Sequence, residues 1–389
     1  MKRRRRLKAI AVPSLNLPQR STEVRRIDPG LAASRAARVE RRGNTTAETC
    51  TDSDTVPAVG HVAEDCPHDD LDPPELSEDE ALGELRNHIG IQTDFGEKGF
   101  FDIMLLIESE PALSVLTGIP SLDILDTLEK HVQIRLPKNK NIRKRIVLTL
   151  MRLKVGLSLT CLAVLFRCDR SHCSKMFSST IVALADVLRE VVDWPSKDEI
   201  RNWMPKSFRN FLKTRVILDC AEVPVEKPQC LICRVRTYSH YYGEHTLKFM
   251  VGCAPSGSIS FLSKAYGGRV SDKQICRESG VLEKLEPYVD AVMVDKGFMI
   301  EDLCEERAVG LIRPPFLRNK TQFSEEEAKM TAEIARARVH VERAIQRLKL
   351  YSVLKQKIPW TLLPYANSII VVIGGITNLC NPIIGDDSF

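Results

Sequence analysis

Two short apolar runs, each followed at once by an aspartate, most constrain what this 389-residue chain can fold into. Val216-Ile-Leu precedes Asp219, and Ala291-Val-Met-Val precedes Asp295. Short continuous apolar runs are typical of buried strands. Both aspartates are therefore predicted at the C-terminal ends of strands inside a core, for which the 43% apolar content is sufficient.

The segments around these runs alternate between strand and helix patterns. The runs 249–253 and 259–263 flank the turn sequence Pro255-Ser-Gly-Ser and predict a hairpin. Ser324-Glu-Glu-Glu predicts the capped start of a long helix reaching about Lys355. Two further helices and one strand are predicted, over 272–285 after Ser271, over 300–307 and over 309–312. This order predicts an α/β domain with a mixed sheet and flanking helices.

A helical region is predicted before this domain. Helices are expected over 122–132, after Pro120-Ser121, and over 139–155. Thr160 can cap a short helix that runs to Phe166, and Asp169 can cap a second one. Two helices joined in this way predict a helix-turn-helix, with a plain helical hairpin as the alternative. The DNA-contacting side chains would lie in the turn and at the start of the second helix: Arg167, Arg170, Ser171, His172 and Lys175.

The first 85 residues have no sustained apolar periodicity and are predicted to form a disordered tail and linker. Basic clusters at 2–6, 25–26 and 41–42 suit nuclear import or phosphate contact, and 64–80 is acidic. No secretory signal is recognised, no membrane partner is expected, and 368–376 is interpreted as buried core. The predicted domains are the tail at 1–85, the helical region at 86–205 and the α/β domain at 206–389.

A third carboxylate, Glu342, lies within the predicted long helix, where Arg338 and Gln346 are its i−4 and i+4 neighbours. Mg²⁺ prefers hard oxygen ligands, and two such ions about 3.5–4 Å apart can stabilise both oxygens of a phosphoryl transfer. Three carboxylates from two strand ends and one helix would suit that chemistry. Spacing alone also fits ordinary surface acids and an ion-paired helix.

Several motifs in order resemble a DDE superfamily endonuclease. They are Ile217-Leu-Asp-Cys-Ala-Glu-Val, His245-Thr-Leu-Lys-Phe-Met-Val-Gly, Tyr266-Gly-Gly-Arg-Val-Ser-Asp-Lys, Val294-Asp-Lys-Gly-Phe and Arg338-Val-His-Val-Glu-Arg. The resemblance covers roughly residues 90 to 380 and is greatest to PIF/Harbinger-like transposases. The segment 11–18 is similar to the end of a THAP zinc domain whose Cys and His ligands do not precede it here, which leaves the true N-terminus open.

The resemblance implies a ribonuclease H-like fold and a catalytic, metal-binding triad of Asp219, Asp295 and Glu342. Asp272 matches an acidic family position outside the triad. It further implies two Mg²⁺ ions, with Mn²⁺ as a substitute, and double-stranded DNA as substrate. A homodimer on DNA, a DNA-binding helper protein and a nuclear location are expected with it.

Other residues leave alternatives open. The arginines of the long helix are interpreted as contacts to the DNA backbone or as a solvated face: Arg338, Arg343 and Arg347. Cys230-x-x-Cys233 with two nearby histidines has zinc-ligand content, but packed thiols in a strand hairpin are favoured. The alternative function is a domesticated DNA-binding regulator that keeps the fold without transposition. A third class is an interaction protein that recruits a partner through the acidic linker.

Overall fold

The computed structural model describes residues 102–317 and 322–382. The predicted tail at 1–85, with its basic clusters and the THAP-like segment, lies outside the described residues. The described part contains a helical region and then an α/β region.

The helical region contains seven α-helices, most of them with polar N-caps. They are α1 Ile103–Leu106, α2 Glu110–Thr117, α3 Leu122–Arg135, α4 Ile142–Lys154, α5 Leu159–Phe166, α6 Arg170–Leu188 and α7 Lys197–Asn202, with short 3-10 turns at Arg189–Val191 and Lys206–Phe208. Ser121 caps α3 as predicted, because its hydroxyl accepts from the Ile124 amide.

The predicted helix-turn-helix is present as α5, a three-residue turn and α6. Asp169 is the N-cap of α6 as expected, but its side chain makes no capping hydrogen bond. The prediction that Thr160 caps α5 was wrong. Ser158 is the cap, and its hydroxyl accepts from the Cys161 amide. Arg167 turns the chain in the left-handed region, at φ 49° and ψ 57°, which lets α6 start after only three residues.

The α/β region contains a seven-stranded mixed sheet. Its strands are β1 Thr214–Pro224, β2 Tyr238–Ser239, β3 Glu244–Cys253, β4 Ile259–Leu262, β5 Tyr266–Gly267, β6 Ala291–Val294 and β7 Gly310–Ile312. The order is β2-β3-β1-β6-β7, with β4 and β5 also pairing β3. β3 runs antiparallel to β1, whereas β6 and β7 run parallel to it. This is the ribonuclease H-like arrangement that the sequence predicted, and the hairpin is formed by β3 and β4.

The remaining helices flank this sheet. They are α8 Leu231–Thr237, α9 Asp272–Ser279, α10 Glu301–Glu306, α11 Glu325–Leu348, α12 Ser352–Lys355 and α13 Ala366–Leu379, with 3-10 turns at Leu282–Lys284 and Trp360–Tyr365. Two predicted ends were wrong. α9 stops six residues early because Gly280 adopts φ 72° as a left-handed cap. α11 stops at Leu348, and α12 is a separate helix after a break.

The two faces of the sheet are covered by different cores. On one face, alternate residues such as Ile217, Val251 and Met293 join a large cluster with α11 and the helices of the helical region. On the other face, Val216, Val292 and their neighbours pack with α9 and α10. Because successive strand residues point to opposite faces, the parity of each position on β1 and β6 decides which core it meets.

α13 is a long and strongly apolar helix. The helical segment Trp360–Leu379 is long and apolar enough to cross a membrane by length and composition, yet 56% of its 18-residue window is buried inside the protein. Ile369, Val372 and Ile373 are at most 1% exposed, and α13 packs against α6 and β4. The prediction that 368–376 is buried core is confirmed.

Candidate active site

Two aspartates lie side by side where the parallel pairing of β1 and β6 ends. Leu218 pairs with Val294 in register, so Asp219 and Asp295 follow at the same level. Asp295 ends its strand as predicted. Asp219 does not, because β1 continues to Pro224 with β3 as its antiparallel partner. The aspartates nonetheless share one face of the sheet. Both have odd residue numbers, and the odd-numbered residues of β1 and β6, such as Ile217 and Met293, face the core that contains α11.

α11 supplies the third carboxylate and a cation that contacts two of the three. Arg338 Nη1 lies 2.8 Å from Asp295 Oδ1, and Arg338 Nη2 lies 3.6 Å from Glu342 Oε1. The arginine side chain is 12% exposed, whereas Asp295 and Glu342 are each 51% exposed. One guanidinium therefore joins a strand-end aspartate to a glutamate one helical turn further along α11. The spacing predicted only that Arg338 and Glu342 are i,i+4 neighbours.

Asp219 is the most buried of the three acids. Its pKa is raised to about 6, chiefly by burial and in smaller part by the negative charges of Asp295 and Asp272, while the amide of Cys220 and the charge of Arg338 oppose this rise. The Cys220 amide donates to Asp219 Oδ1 at 2.8 Å. A raised carboxyl pKa means that the surrounding positive charge does not fully compensate this carboxylate.

The side chains at this site have the chemistry needed to bind a divalent cation. Two adjacent carboxylates offer the hard oxygen ligands that Mg²⁺ prefers, and the incompletely compensated charge of Asp219 is where a cation would be stabilised. In the described conformation, however, no group of three or more His, Cys, Asp or Glu side chains among the described residues is placed to hold a metal ion. Glu342 is connected to Asp295 through the Arg338 guanidinium, so a metal shared by all three acids would replace that contact.

A second charged cluster lies on the opposite face of the sheet. Lys248 Nζ is 3.3 Å from Asp272 Oδ1 and 3.8 Å from Glu222 Oε2. The Thr246 hydroxyl donates to Glu222. Asp272, the acidic position outside the triad, thus stands at the start of α9, close enough for its charge to raise the pKa of Asp219.

A buried histidine fixes α11 near the triad. His340 is 1% exposed, and its ring meets Phe208 edge-on with 5.2 Å between the ring centroids. Its pKa is lowered to about 4, first by burial and then by the positive charge of Arg343. This neutral imidazole, two residues before Glu342, packs against Phe208 and lies 3.4 Å from the Ser207 hydroxyl, and both contacts hold the helix against Lys206–Phe208.

The side chains predicted to contact DNA through the helix-turn-helix are all on its surface. Arg167, Arg170, Ser171, His172 and Lys175 are exposed, while the intervening positions Cys173 and Met176 face the core. The structure thus brings the five together around the start of α6, where a recognition helix presents its residues.

The three arginines of α11 lie in different surroundings. Arg338 contacts the carboxylates, and Arg343 lies near His340. Arg347 donates to the backbone carbonyls of Asn381 and Pro382, the latter at 3.0 Å. The structure therefore does not gather them on one surface. Sequence reasoning missed the position of Arg338 between the acids, since the helix pattern does not show which face meets the sheet.

The cysteine pair of the predicted strand hairpin lies in a helix instead. Cys230 is the N-cap of α8, and Cys233 is buried within it. The Thr237 hydroxyl donates to the Cys233 carbonyl at 2.7 Å. Packed thiols were the favoured interpretation, and Cys233 is indeed buried. The predicted strand hairpin was wrong, because the helical hydrogen bonds of this segment outweigh the strand preference of its β-branched residues.

Comparison with known proteins agrees with this geometry. Residues 218–378 match the family model of the DDE superfamily endonuclease, and residues 141–190 match that of the helix-turn-helix of DDE superfamily endonucleases. The first match spans all three acids, and the second spans α5 and α6. No curated protein and no solved structure gives a significant match.

The fold, the site and the matched segments agree with one another. Residues 218–378 are similar to a DDE superfamily endonuclease domain, and the segment before them is similar to that superfamily's helix-turn-helix. These similarities support a transposase or nuclease function, and the superfamily whose models match generally uses divalent metal ions.

Proposed function

We propose that this protein is a DNA transposase that cuts and joins DNA strands by two-metal-ion phosphoryl transfer. The observation that carries the proposal is the alignment of Asp219 and Asp295 on parallel strands, with Glu342 joined to Asp295 through one arginine, inside the matched endonuclease segment. Rigid strand ends and a packed helix give such a constellation the fixed geometry that phosphoryl transfer requires.

Each part of the chain has a role in this proposal. Asp219, Asp295 and Glu342 would hold Mg²⁺, or Mn²⁺ in its place, and the metal would stabilise charge on the attacking and leaving oxygens. The exposed start of α6 would position duplex DNA through phosphate and base-edge contacts. No side chain serves as a covalent nucleophile, since water and the freed 3′-hydroxyl fill that role.

The finer assignments follow from the resemblance. We infer a PIF/Harbinger-like transposase of the THAP-associated group that acts in the nucleus, forms a homodimer on the transposon ends and works with a DNA-binding helper protein. The N-terminal basic clusters and the order of the motifs support these assignments.

Cleavage of DNA carrying the inverted repeats that flank the gene tests the proposal. The native chain is expected to cut in Mg²⁺ and in Mn²⁺, and Asp295→Asn is expected to abolish cutting because it keeps the shape but removes a charged ligand. Asp198→Asn is the matched control, since Asp198 is 87% exposed on α7, outside the site. Duplex binding without metal-dependent cutting by the native chain would instead favour the domesticated DNA-binding regulator.

A further inference from the structure

Two cysteines meet at the turn of the helix-turn-helix, away from the triad. Cys168 lies in the turn and Cys173 lies in α6, and their Sγ atoms are 3.1 Å apart. Cys173 is fully buried, whereas Cys168 is half-buried. Both are free thiols, and we call them the thiol pair. Neither cysteine has a part in the proposed reaction.

The positions of the two cysteines in the chain explain their contact. Asp169 is the N-cap of α6, so Cys168 precedes the cap and Cys173 is the fourth residue of the helix. Residues at these two positions commonly pack together as a hydrophobic staple, which sets the angle at which the chain enters the helix. The Asp169 side chain makes no capping hydrogen bond. The thiol pair therefore contributes to fixing the direction in which α6 starts.

The backbones of the two cysteines are held by different helices. The Cys168 amide donates to the Ala163 carbonyl of α5 at 3.0 Å, and the Cys173 amide donates to the Asp169 carbonyl at the start of α6 at 2.9 Å. A bond between the two Sγ atoms would therefore tie the end of α5 to the first residues of α6. A disulfide has an S–S length of about 2.05 Å, so the two Sγ atoms would approach each other by about 1 Å from their present 3.1 Å.

The two thiols differ in their access to an oxidant. Burial raises the pKa of Cys173, which disfavours the thiolate, the reactive form of a cysteine. The half-buried Cys168 would therefore react first with hydrogen peroxide. The O–O bond breaks, the Cys168 thiol becomes a sulfenic acid, and one water leaves. The adjacent Cys173 sulfur then attacks the sulfenic acid and a second water leaves, so that two thiols are oxidised to one disulfide while one peroxide is reduced to two waters.

We propose that the thiol pair is a modification site for peroxides, and that its disulfide weakens duplex binding by the helix-turn-helix. Arg167 precedes Cys168 in the chain, and Arg170 and His172 lie between the two cysteines. A shift of about 1 Å at the thiol pair would move these side chains, and hydrogen bonds to bases and phosphates weaken when their geometry changes. This inference rests on the proposed function, since it requires that α6 contacts the duplex.

Peptide mapping tests the disulfide without DNA. Trypsin cuts after Arg167, Arg170 and Lys175, so the two cysteines fall in separate peptides, 168–170 and 171–175. The full chain is treated with hydrogen peroxide, its remaining thiols are alkylated, and the digest is analysed by mass spectrometry without reduction. The two peptides are expected to be joined after peroxide and to separate after dithiothreitol.

Fluorescence anisotropy with a labelled duplex that carries the inverted repeats tests the effect on DNA binding. The oxidised full chain is expected to bind about fivefold or more weakly than the reduced chain, because at least one arginine contact is lost. Dithiothreitol is expected to restore the affinity. Cys168→Ser removes one thiol at a half-buried position, and its affinity is expected not to change with peroxide. Cys173→Ala is the second variant, with the same expectation, and circular dichroism checks that both variants fold.

The matched control is Cys161→Ser. Cys161 is exposed on the neighbouring helix α5, and this variant is expected to respond to peroxide as the native chain does. The absence of the joined peptides after peroxide would overturn the proposal. So would an equal loss of duplex binding in Cys168→Ser and the native chain, or joined peptides with unchanged duplex binding.

The two proposals fail separately. A reduced native chain that neither binds the duplex nor cuts DNA would count against the proposed transposase, and the peptide map would still report on the thiol pair. A reduced chain that binds and cuts DNA but forms no joined peptides would count against the thiol pair alone.

Discussion

Replacing Arg338 by Gln is expected to increase the affinity of the metal-free protein for a divalent cation. The Arg338 guanidinium already compensates two of the acids that a metal would use, at 2.8 Å from Asp295 and 3.6 Å from Glu342. A cation that binds all three acids must displace it, so part of the binding free energy is lost in breaking these contacts. Glutamine is also a good helix former, and it leaves α11 intact.

The size of the effect follows from exposure. Both acids are 51% exposed, and solvent screening limits each such pair to about 1 kcal/mol or less. Removing both contacts therefore gives about 1–2 kcal/mol, which corresponds to about a 5- to 30-fold increase in affinity. Loss of the arginine charge also raises the pKa of Asp219, so the comparison is made at about pH 8, above that pKa, where the carboxyl is ionised in both proteins.

Isothermal titration calorimetry with Mn²⁺, in the absence of DNA, measures this affinity. Arg336→Gln is the matched control, because Arg336 is exposed on the same helix two residues earlier. Its affinity is expected to equal that of the native chain. If Arg338→Gln bound Mn²⁺ more weakly while its circular dichroism stayed native, the reasoning would be refuted. Arg338 would then serve to hold the acids in position rather than to compete with the metal.

Three further changes test the site, the helix-turn-helix and the fold. Asp219→Asn is expected to stabilise the metal-free protein by about 2–3 kcal/mol at pH 8, because a carboxyl pKa raised from 3.8 to about 6 destabilises the folded state as pH rises through that range. Urea unfolding in EDTA should show that this gain in stability disappears near pH 4. No gain in stability at pH 8 would contradict the prediction. Arg170→Ala is expected to weaken duplex binding and reduce the slope of log K against log salt by about 1, whereas Arg201→Ala, 72% exposed on α7, should leave the slope unchanged; equal slopes for both variants would remove α6 from the interface. Gly267→Ala is expected to cost about 1–3 kcal/mol in urea unfolding, since a Cβ there would lie 2.2 Å from the Arg236 carbonyl oxygen; a native midpoint would show that α8 can move away.

The sequence was most informative where a local pattern decides the structure. Ser121 and the Ser324–Glu327 capping box start their helices as predicted, because a cap depends on residues within one turn. The two aspartate strands and their place in a mixed sheet were likewise predicted, since both are short apolar runs. The register that aligns Asp219 with Asp295 could not be predicted, because it is set by the pairing of two strands that are more than 70 residues apart in the chain.

What the sequence could not show depends on contacts between distant elements. β1 extends past Asp219 because β3 supplies hydrogen-bond partners up to Pro224, although the residues after Asp219 do not form a continuous apolar run. The i,i+4 contact of Arg338 with Glu342 was predictable, but its contact with Asp295 was not.

One helix joins the part of the protein that would recognise DNA to the part that would cut it. α13 packs against α6, and the Asn378 side-chain amide donates to the carbonyls of Val191 and Ile259, at 3.1 and 2.8 Å. Both regions thus share one core and cannot rotate independently. In the proposed function, the number of base pairs between the sequence contacted by α6 and the phosphate to be cut would then be fixed. Inserting about five base pairs, half a turn of the duplex, would turn that phosphate to the far side of the DNA.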